Sequence, residues 1–336
     1  MSKIKKTLSG SLITLIRDLL FLLLLSLIFL YFSTQIKPKS LIEFQARSLI
    51  IEKGTSLLLI AEKLQEAGMI TNPHSFLLLA KVTGLDKKIQ AGRYCFTRPM
   101  SSWEILSNLK QGGTLTEEIT IPEGYTLREI ARLLQNQVSI DSLEFLKWCY
   151  DTTFCLKLGI PVNNLEGYLF PNSYNIYWKM EAKKAIELMV AEFNNIYNDS
   201  LTKRAEELGF TRHQIITLAS LIEKEAKIDS ERLLISAVFH NRLRLGRPLE
   251  SCATIEYLLP EHKERLLYKD LKIKSPYNTY LNLGLPPGPI CNPGKKSIES
   301  ALYPAKVDYL YFVSNSDGSH TFSRTGIEHI QAKHRR

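Results

Sequence analysis

A chain of 336 residues is long enough for two or three domains, and 45% apolar with 23% charged residues is an ordinary globular balance. The formal net charge of +9 points to a polyanionic neighbour such as cell-wall polymer or lipid headgroups. No zinc-finger spacing and no aromatic-rich RNA-binding signature is present, so the reading includes no nucleic acid. Cys95, Cys149, Cys155, Cys252 and Cys291 form an odd, scattered set without a CxxC, which excludes a full disulfide framework. A Cys149–Cys155 bridge stays open. The absence of a His/Cys ligand cluster and of a Gly-rich phosphate loop leaves no metal and no organic cofactor implied.

In chain order, residues 12–32 are nearly continuous apolar sequence, interrupted by Arg17 and Asp18. That length suits a transmembrane helix. Tyr31 and Phe32 fit the far interface, and no clear small-x-small site favours a cleaved signal peptide. Lys3, Lys5 and Lys6 favour an N-terminus inside, while Lys37 and Lys39 weaken that bias. The expected division is a cytoplasmic N-terminus at 1–11, the span at 12–32 and a linker at 33–46.

An internal repeat follows. Ile51-Glu52-Lys53-Gly54-Thr55-Ser56-Leu57 leads into Ile60, Ala61, Leu64 and Gln65. Seventy residues on, Ile121-Pro122-Glu123-Gly124-Tyr125-Thr126-Leu127 leads into Ile130, Ala131, Leu134 and Gln135. Each copy reads as strand, glycine turn, hydroxyl N-cap and amphipathic helix. Between them, helices are expected from Asn72-Pro73 to Gly84 and from Ser101 to Gly112, with a strand at Gly92–Phe96. The arrangement is α+β. It suits either small modules that read an extended polymer or a duplicated scaffold without a ligand.

Ser139–Leu158 reads as one helix and Glu181–Tyr197 as another. Thr211 and Gln214 then make a capping box for a further helix, in which Ile215, Leu218, Ala219, Ile222 and Ala226 share one face. Glu225 projects about 60° from Ile222, inside that face, whereas Glu223 lies near its edge. A desolvated carboxyl has a raised pKa, which a general acid near neutral pH needs. The competing reading is that Glu225 pairs with an arginine or caps a neighbouring helix. The next helix is expected from Ser230 to about Leu245. Lys274–Gly294 is dense in Pro, Gly, Asn and Tyr, so it is read as a cleft-lining loop. A short helix at Ser297–Leu302, a buried strand at Tyr309–Ser314 and a closing hairpin through Ser316–Ser319 complete the reading.

The chain resembles the MltG (YceG-like) endolytic murein transglycosylase family. The resemblance is carried, in order, by LEGYLFPNSY (Leu165–Tyr174), ASLIEKEA (Ala219–Ala226), SERLLISAVFHNRL (Ser230–Leu243), SPYNTY (Ser275–Tyr280), GLPPGPICNPG (Gly284–Gly294) and DYLYFVSNSDGSHTFSRT (Asp308–Thr325). It implies an N-terminal transmembrane helix, a LysM-like module at 47–115, and a mixed α+β YceG-like catalytic domain at 116–336 that includes the second repeat copy at 117–137. It also implies a single-pass protein of the cell inner membrane, N-terminus cytoplasmic and catalytic domain periplasmic. The implied reaction is cleavage of nascent peptidoglycan glycan strands between MurNAc and GlcNAc to 1,6-anhydroMurNAc ends, terminating glycan elongation. Peptidoglycan synthases or division proteins stay open as partners. The family's catalytic glutamate falls on Glu225.

One carboxyl suffices for such a lyase because the muramyl 6-hydroxyl attacks its own anomeric carbon, and proximity replaces a second catalytic partner. Glu166 is a candidate supporting or substrate-contacting acid, or it holds the loop Pro161–Pro171. Asn278 and Tyr280 are candidates for acetamido and hydroxyl contacts, Tyr277 for stacking on a sugar face or for the core. Asn241 is a candidate substrate-binding residue or orients the loop with Arg242, which is otherwise a structural ion-pair partner; Glu231 is read as satisfying a helix dipole, and His320 as a candidate site residue or an exposed turn histidine. Glu250-Ser251-Cys252-Ala253-Thr254 departs from the family's usual Gln-Ser-Asp-Pro-Thr. Asn172-Ser173 stands where Asp-Thr is usual, and Ile330 where Asn is usual. The alternative is a membrane-anchored peptidoglycan-binding scaffold with an inactive site; a muramidase using water is a third reading.

Overall fold

Strand, glycine turn and hydroxyl-capped helix recur twice, once in each half of the molecule. A computed structural model describes residues 15–26, 28, 47–52, 54–96, 98–112, 116–259, 263 and 266–335. The chain divides into two units, Met1–Thr116 and Glu117–Arg336.

In the first unit, residues 15–26 are helical (α1) and expose their leucines and Phe21. Among the described residues no helix is long and apolar enough to cross a membrane. The rest of the expected span, apart from Ile28, lies outside the described residues, as do the N-terminus at 1–11 and the linker up to residue 46. Strand β1 (Arg47–Ile51) pairs antiparallel with β2 (Gly92–Phe96), Leu49 opposite Tyr94. Alternation turns Leu49, Ile51, Tyr94 and Phe96 inward. Helix α2 (Leu57–Glu66) starts where the Ser56 side chain accepts from Leu59 N–H. Helix α3 (Pro73–Val82) starts at Asn72, whose side chain accepts from His74 and Ser75. Helix α4 (Ser102–Gln111) starts in a capping box of Ser101 and Glu104. Their apolar faces close one core around Leu64, Phe76, Leu106 and Leu109.

In the second unit, β3 (Thr116–Thr120) pairs with β4 (Ser173–Tyr177), and Thr126 with Glu129 boxes the start of α5 (Leu127–Val138). The two repeat copies thus share local structure but pair with unrelated strands. The single helix expected at Ser139–Leu158 is two, α6 (Ser142–Cys149) and α7 (Thr152–Lys157). Asp141 and Asp151 each cap a fresh N-terminus, by accepting from Glu144 and Phe154, and so interrupt the run. Helices α8 (Ala182–Ile196) and α9 (Asp199–Glu207) follow; α9, capped by Asn198, and β4 were not anticipated.

The second core is arranged around α10 (Arg212–Glu225), which opens in the expected Thr211–Gln214 capping box. The amphipathic reading of this helix needs correction. Every residue from Ile215 to Ile222 is buried, Thr217 and Ser220 included. Such a helix is enclosed on all sides. Its neighbours are α9, α11 (Arg232–Arg244), α12 (Cys252–Leu258) and α13 (Lys295–Leu302). A 3-10 turn at Asp229–Glu231 delays α11 beyond the expected start at Ser230. The two buried hydroxyls are satisfied: Thr217 Oγ1 donates to His213 O, and Ser220 Oγ donates to Thr217 O while accepting from Ile290 N–H. Each fully buried Leu or Ile on this helix contributes about 1.5–3 kcal/mol. The expected terminal hairpin is present as β5 (Tyr311–Ser314) and β6 (His320–Ser323), followed by an unanticipated α14 (Gly326–His334).

Gly167 locks the loop before β4 onto α10. It adopts φ +89°, and a Cβ there would lie 2.5 Å from Pro289 Cγ and 2.8 Å from Ile216 Cγ2. Gly159 also has positive φ, +76°, but open space around it. Gly167→Ala is therefore expected to destabilise the unit by at least about 2 kcal/mol. Gly159→Ala is expected to cost only about 1–2 kcal/mol of backbone strain. Equal shifts of the two thermal midpoints would contradict this packing argument.

Candidate active site

Glu225 is the last residue of α10, and the chain leaves the helix extended at Ala226. This places the carboxyl at the end of an enclosed helix, on a residue that is half-buried as a whole. Ser251 Oγ donates to Oε1 at 2.5 Å, and the Ala253 backbone N–H donates as well. Ser251 precedes α12 but makes no capping bond of its own; its hydroxyl is turned to Glu225 instead. Its backbone is fixed on both sides, the N–H donating to Thr279 Oγ1 at 3.0 Å and the C=O accepting from Thr254 Oγ1 at 2.8 Å. Burial pushes the Glu225 pKa above the usual carboxylate range; the Ser251 and Ala253 hydrogen bonds act against it, as does His320, while Glu256 raises it further.

Glu223, two residues earlier, corrects the projection that made Glu225 alone the desolvated acid. Its side chain is only 6% exposed. It accepts from Arg232 Nη1 at 3.1 Å and from Gly294 N–H at 2.9 Å. Arg232 in turn donates to Ser297 Oγ and to Asp229, which also meets Lys296. Both glutamates are thus desolvated. They differ in partner: a guanidinium for Glu223, a hydroxyl and a backbone N–H for Glu225.

Glu166 is fully enclosed at 3% exposure. It accepts from Leu127 N–H at the start of α5 (3.1 and 3.3 Å to its two oxygens) and from Asn292 Nδ2 at 3.2 Å, with Tyr257 O–H at 3.5 Å. It therefore holds the loop, the second of its two readings, and cannot reach a sugar. Asn278 is corrected in the same way. It is buried, its Nδ2 donates to Leu271 O and Ile273 O, and its Oδ1 accepts from Tyr280 N–H. Asn241 uses its amide on Val307 O and Tyr309 O, and Arg242 reaches Leu310 O, Pro248 O, Leu249 O and Glu250. Both hold chain segments in place.

Tyr280 and Tyr277 keep partly exposed surface. The Tyr280 hydroxyl stands 3.0 Å from Cys252 Sγ, beside Glu225, and burial pushes its pKa far up, so it is a neutral hydroxyl. Tyr277 lies tilted against Tyr257 with centroids 5.3 Å apart. His320, read as exposed, is buried instead: Glu231 accepts from both its backbone N–H and its Nδ1. A cleft of about 600 Å³ opens between the β5–β6 hairpin and α14, lined by Asn315, Asp317, Thr321, Glu328 and Arg335 among others, but not by Glu225. Among the described residues no cluster of His, Cys, Asp or Glu is placed to hold a metal ion.

The sequence reading missed Ser251 and Asn292. Ser251 stood in plain view as a hydroxyl ahead of Cys252-Ala253-Thr254, an N-cap pattern. Asn292 ties its own loop to two other segments, Gly124–Tyr125 and Glu166–Leu169: it donates to Tyr125 O and Glu166, accepts from Leu169 N–H, and its C=O accepts from Gly124 N–H. Its only signal was a polar residue within a Pro- and Gly-rich loop.

The sequence model of the YceG-like family matches residues 49–335. The chain is 35% identical over 320 residues to an endolytic murein transglycosylase of Bacillus subtilis (strain 168), covering 91% of this chain and 89% of that protein. It is 31% identical over 350 residues to an endolytic murein transglycosylase of Streptococcus pneumoniae (strain ATCC BAA-255 / R6), covering 90% of this chain but 63% of that longer protein. A crystal structure of a putative yceG-like protein from Listeria monocytogenes superposes with a TM-score of 0.63 at 33% identity, over 85% of this chain and 98% of that one.

The Glu166 site makes a prediction about stability. Burial pushes its pKa up to about 8 from an ordinary 4.5. Between these values the folded chain holds a proton that the unfolded chain has released, so stability falls as pH rises across this window and levels off above about 8. Glu166→Gln keeps an oxygen for Leu127 and Asn292 but does not titrate. The difference in thermal midpoint between variant and wild type should move in the variant's favour as pH rises from 4.5 to about 8. Parallel midpoint curves would contradict the burial argument.

Proposed function

From the premise that the chain belongs to the YceG-like family, we propose that it is an endolytic murein transglycosylase that cleaves peptidoglycan glycan strands with Glu225 as its single acid and base. The observation that carries this reading is the setting of that carboxyl. It is desolvated, accepts from a hydroxyl at 2.5 Å and, among the described residues, forms no ion pair with a lysine or arginine. Such a group retains a proton at a pH where an ordinary carboxylate has lost it, and its residue is half-buried where Glu166 is buried.

In this mechanism Glu225 donates its proton to the glycosidic oxygen as the bond to the muramyl anomeric carbon breaks. The muramyl 6-hydroxyl then forms a bond to that carbon and returns its proton to Glu225. Water is not consumed, and the new end is a 1,6-anhydroMurNAc residue. Attack by a tethered hydroxyl is favoured by proximity. The hydrogen bond from Ser251 restrains the carboxyl geometry through both transfers. Tyr280 and Tyr277 are the candidate sugar contacts, since each keeps exposed surface; the Tyr280 hydroxyl stands by Cys252, whereas that of Tyr277 lies by Gly288 and His213 at the start of α10. Termination of glycan elongation follows from cutting nascent strands.

The first unit, 47–115, is proposed as a LysM-like glycan-reading module, supported by its separate core and its repeat relationship to residues 117–137. The apolar run at 12–32 is proposed as a single-pass inner-membrane anchor, supported by the leucines exposed along residues 15–26. Lys3, Lys5 and Lys6 favour a cytoplasmic N-terminus, which sets the catalytic unit on the cell-wall side, where synthases and division proteins are accessible partners.

Glu225→Gln should lower anhydro-end formation from purified glycan strands by about 10²–10⁴ while leaving the thermal midpoint near that of wild type. Mass spectrometry of the products reads the outcome. Retained activity would remove Glu225 from the role, reducing ends would indicate a muramidase, and no new chain ends with wild-type protein would favour the scaffold reading.

A further inference from the structure

Three successive residues at the entry to α12 are bonded to the loop that carries Tyr280. Glu250 N–H donates to Thr279 O at 3.1 Å, Ser251 N–H donates to Thr279 Oγ1 at 3.0 Å, and Cys252 Sγ stands 3.0 Å from the Tyr280 hydroxyl. Thr254, in the first turn of α12, closes the arrangement. Its Oγ1 donates to Ser251 O at 2.8 Å and lies 3.0 Å from Thr279 Oγ1. Ser251, Thr254 and Thr279 are all buried.

Each hydrogen in this cluster has one place. A hydroxyl carries one hydrogen and two acceptor lone pairs. That of Thr254 goes to Ser251 O, so the hydrogen between the two threonines belongs to Thr279. Thr279 Oγ1 accepts in turn from Ser251 N–H. The bonds form a ring that starts and ends on the backbone of Ser251, and each bond polarises the next. The Ser251 hydroxyl stands outside the ring and gives its hydrogen to Glu225 Oε1 at 2.5 Å. The approach to the ring is also held. Glu250 adopts φ +52°, left-handed for a residue with a Cβ, while Arg242 Nη1 donates to Pro248 O, Leu249 O and the Glu250 carboxylate. Strained backbone of that kind persists only where its surroundings impose it.

We propose that Thr279 and Thr254 are positioning residues for the acid: their ring fixes Ser251 so that its hydroxyl holds Oε1 of Glu225 and leaves Oε2 to carry the transferred proton. The inference rests on Glu225 being the acid. A carboxyl group with both oxygens free could present either one to the glycosidic bond. With Oε1 accepting from Ser251, the proton sits on Oε2, and that oxygen delivers it and takes one back. Both threonines are enclosed, so they act through Ser251 and not on the sugar. Thr279 also adjoins Tyr280, a candidate sugar contact. The residue that sets the acid and the residue that would meet the sugar are therefore neighbours on one loop, and the chain fixes the spacing between them.

The experiment measures kcat and KM of anhydro-end formation on purified glycan strands, with thermal midpoints alongside. It compares full-length wild type with Thr279→Val, Thr279→Ser, Thr254→Val, Ser251→Ala, the Thr279→Val/Ser251→Ala double variant and Glu225→Gln. Valine keeps the shape of threonine and removes the hydroxyl. Thr279→Val, Thr254→Val and Ser251→Ala should each lower kcat about tenfold with KM unchanged. Thr279→Ser, which keeps the hydroxyl, should hold kcat near that of wild type. The double variant should be no slower than Ser251→Ala, because the ring acts through that one hydroxyl. Should Thr279→Val fail to fold, Thr254→Val breaks the same ring from α12. Losses that multiply in the double variant, a rise in KM in place of the fall in kcat, or Thr279→Ser as slow as Thr279→Val would mean that the threonines only hold the loop, and the proposal fails. Activity retained in Glu225→Gln would instead overturn the assignment of the acid itself.

Discussion

The structure depends on a helix enclosed from all sides that ends in a carboxyl with no lysine or arginine partner among the described residues. Because Ile215–Ile222 are buried without a break, α10 has no solvent face that could rotate outward. Its C-terminal residue is therefore fixed by the packing of the whole second unit. A carboxylate that must act at a set distance from a bond gains from such fixation, since small misplacements in an active site are costly.

Three carboxyls near this helix show how partner choice, rather than burial, separates their roles. Glu223 and Arg232 are 6% and 9% exposed at their side chains, and they form a pair with Gly294 and Ser297 completing the hydrogen bonds. Removing one member of such a pair strands the other, typically at about 3–5 kcal/mol, so this is a structural device. Glu166 has no cation either, but both its oxygens are occupied by Leu127 N–H, and Asn292 closes the remaining side. Glu225 forms no ion pair with a lysine or arginine among the described residues, and its residue is half-buried. The polar loop residues beside it follow one rule: Asn278, Asn241 and Arg242 satisfy backbone carbonyls that lack a regular partner. An unsatisfied buried polar group costs about 1–3 kcal/mol, so these side chains make a rigid wall from a segment that forms neither helix nor strand.

Local rules were legible wherever the deciding interaction was close in sequence. The capping boxes at Ser101, Thr126 and Thr211, the strand Gly92–Phe96 and the hairpin are all set within a few residues. The break in Ser139–Leu158 was equally local but overlooked, since Asp151 is an N-cap in the middle of an apolar run. What could not be read depends on contacts far along the chain. His320 lies 89 residues from Glu231, Asn292 lies 126 from Glu166, and Ser251 lies 26 from Glu225. Helical projection placed Glu225 against a dry face. It could not tell that Glu223 would be desolvated too, because the covering residue, Arg232, sits on another helix.

The departure at Cys252 belongs to the same electrostatic argument. Where the family's usual pattern carries an aspartate, this chain places a thiol within 3.0 Å of the Tyr280 hydroxyl and close enough to Glu225 to feel its charge. Burial is the largest influence on that thiol and pushes its pKa up, and Glu225 raises it further, so the group stays neutral. A carboxylate at this position would add a second like charge beside an acid that already faces Glu256. The thiol–phenol pair instead offers weak, neutral hydrogen bonding on that side.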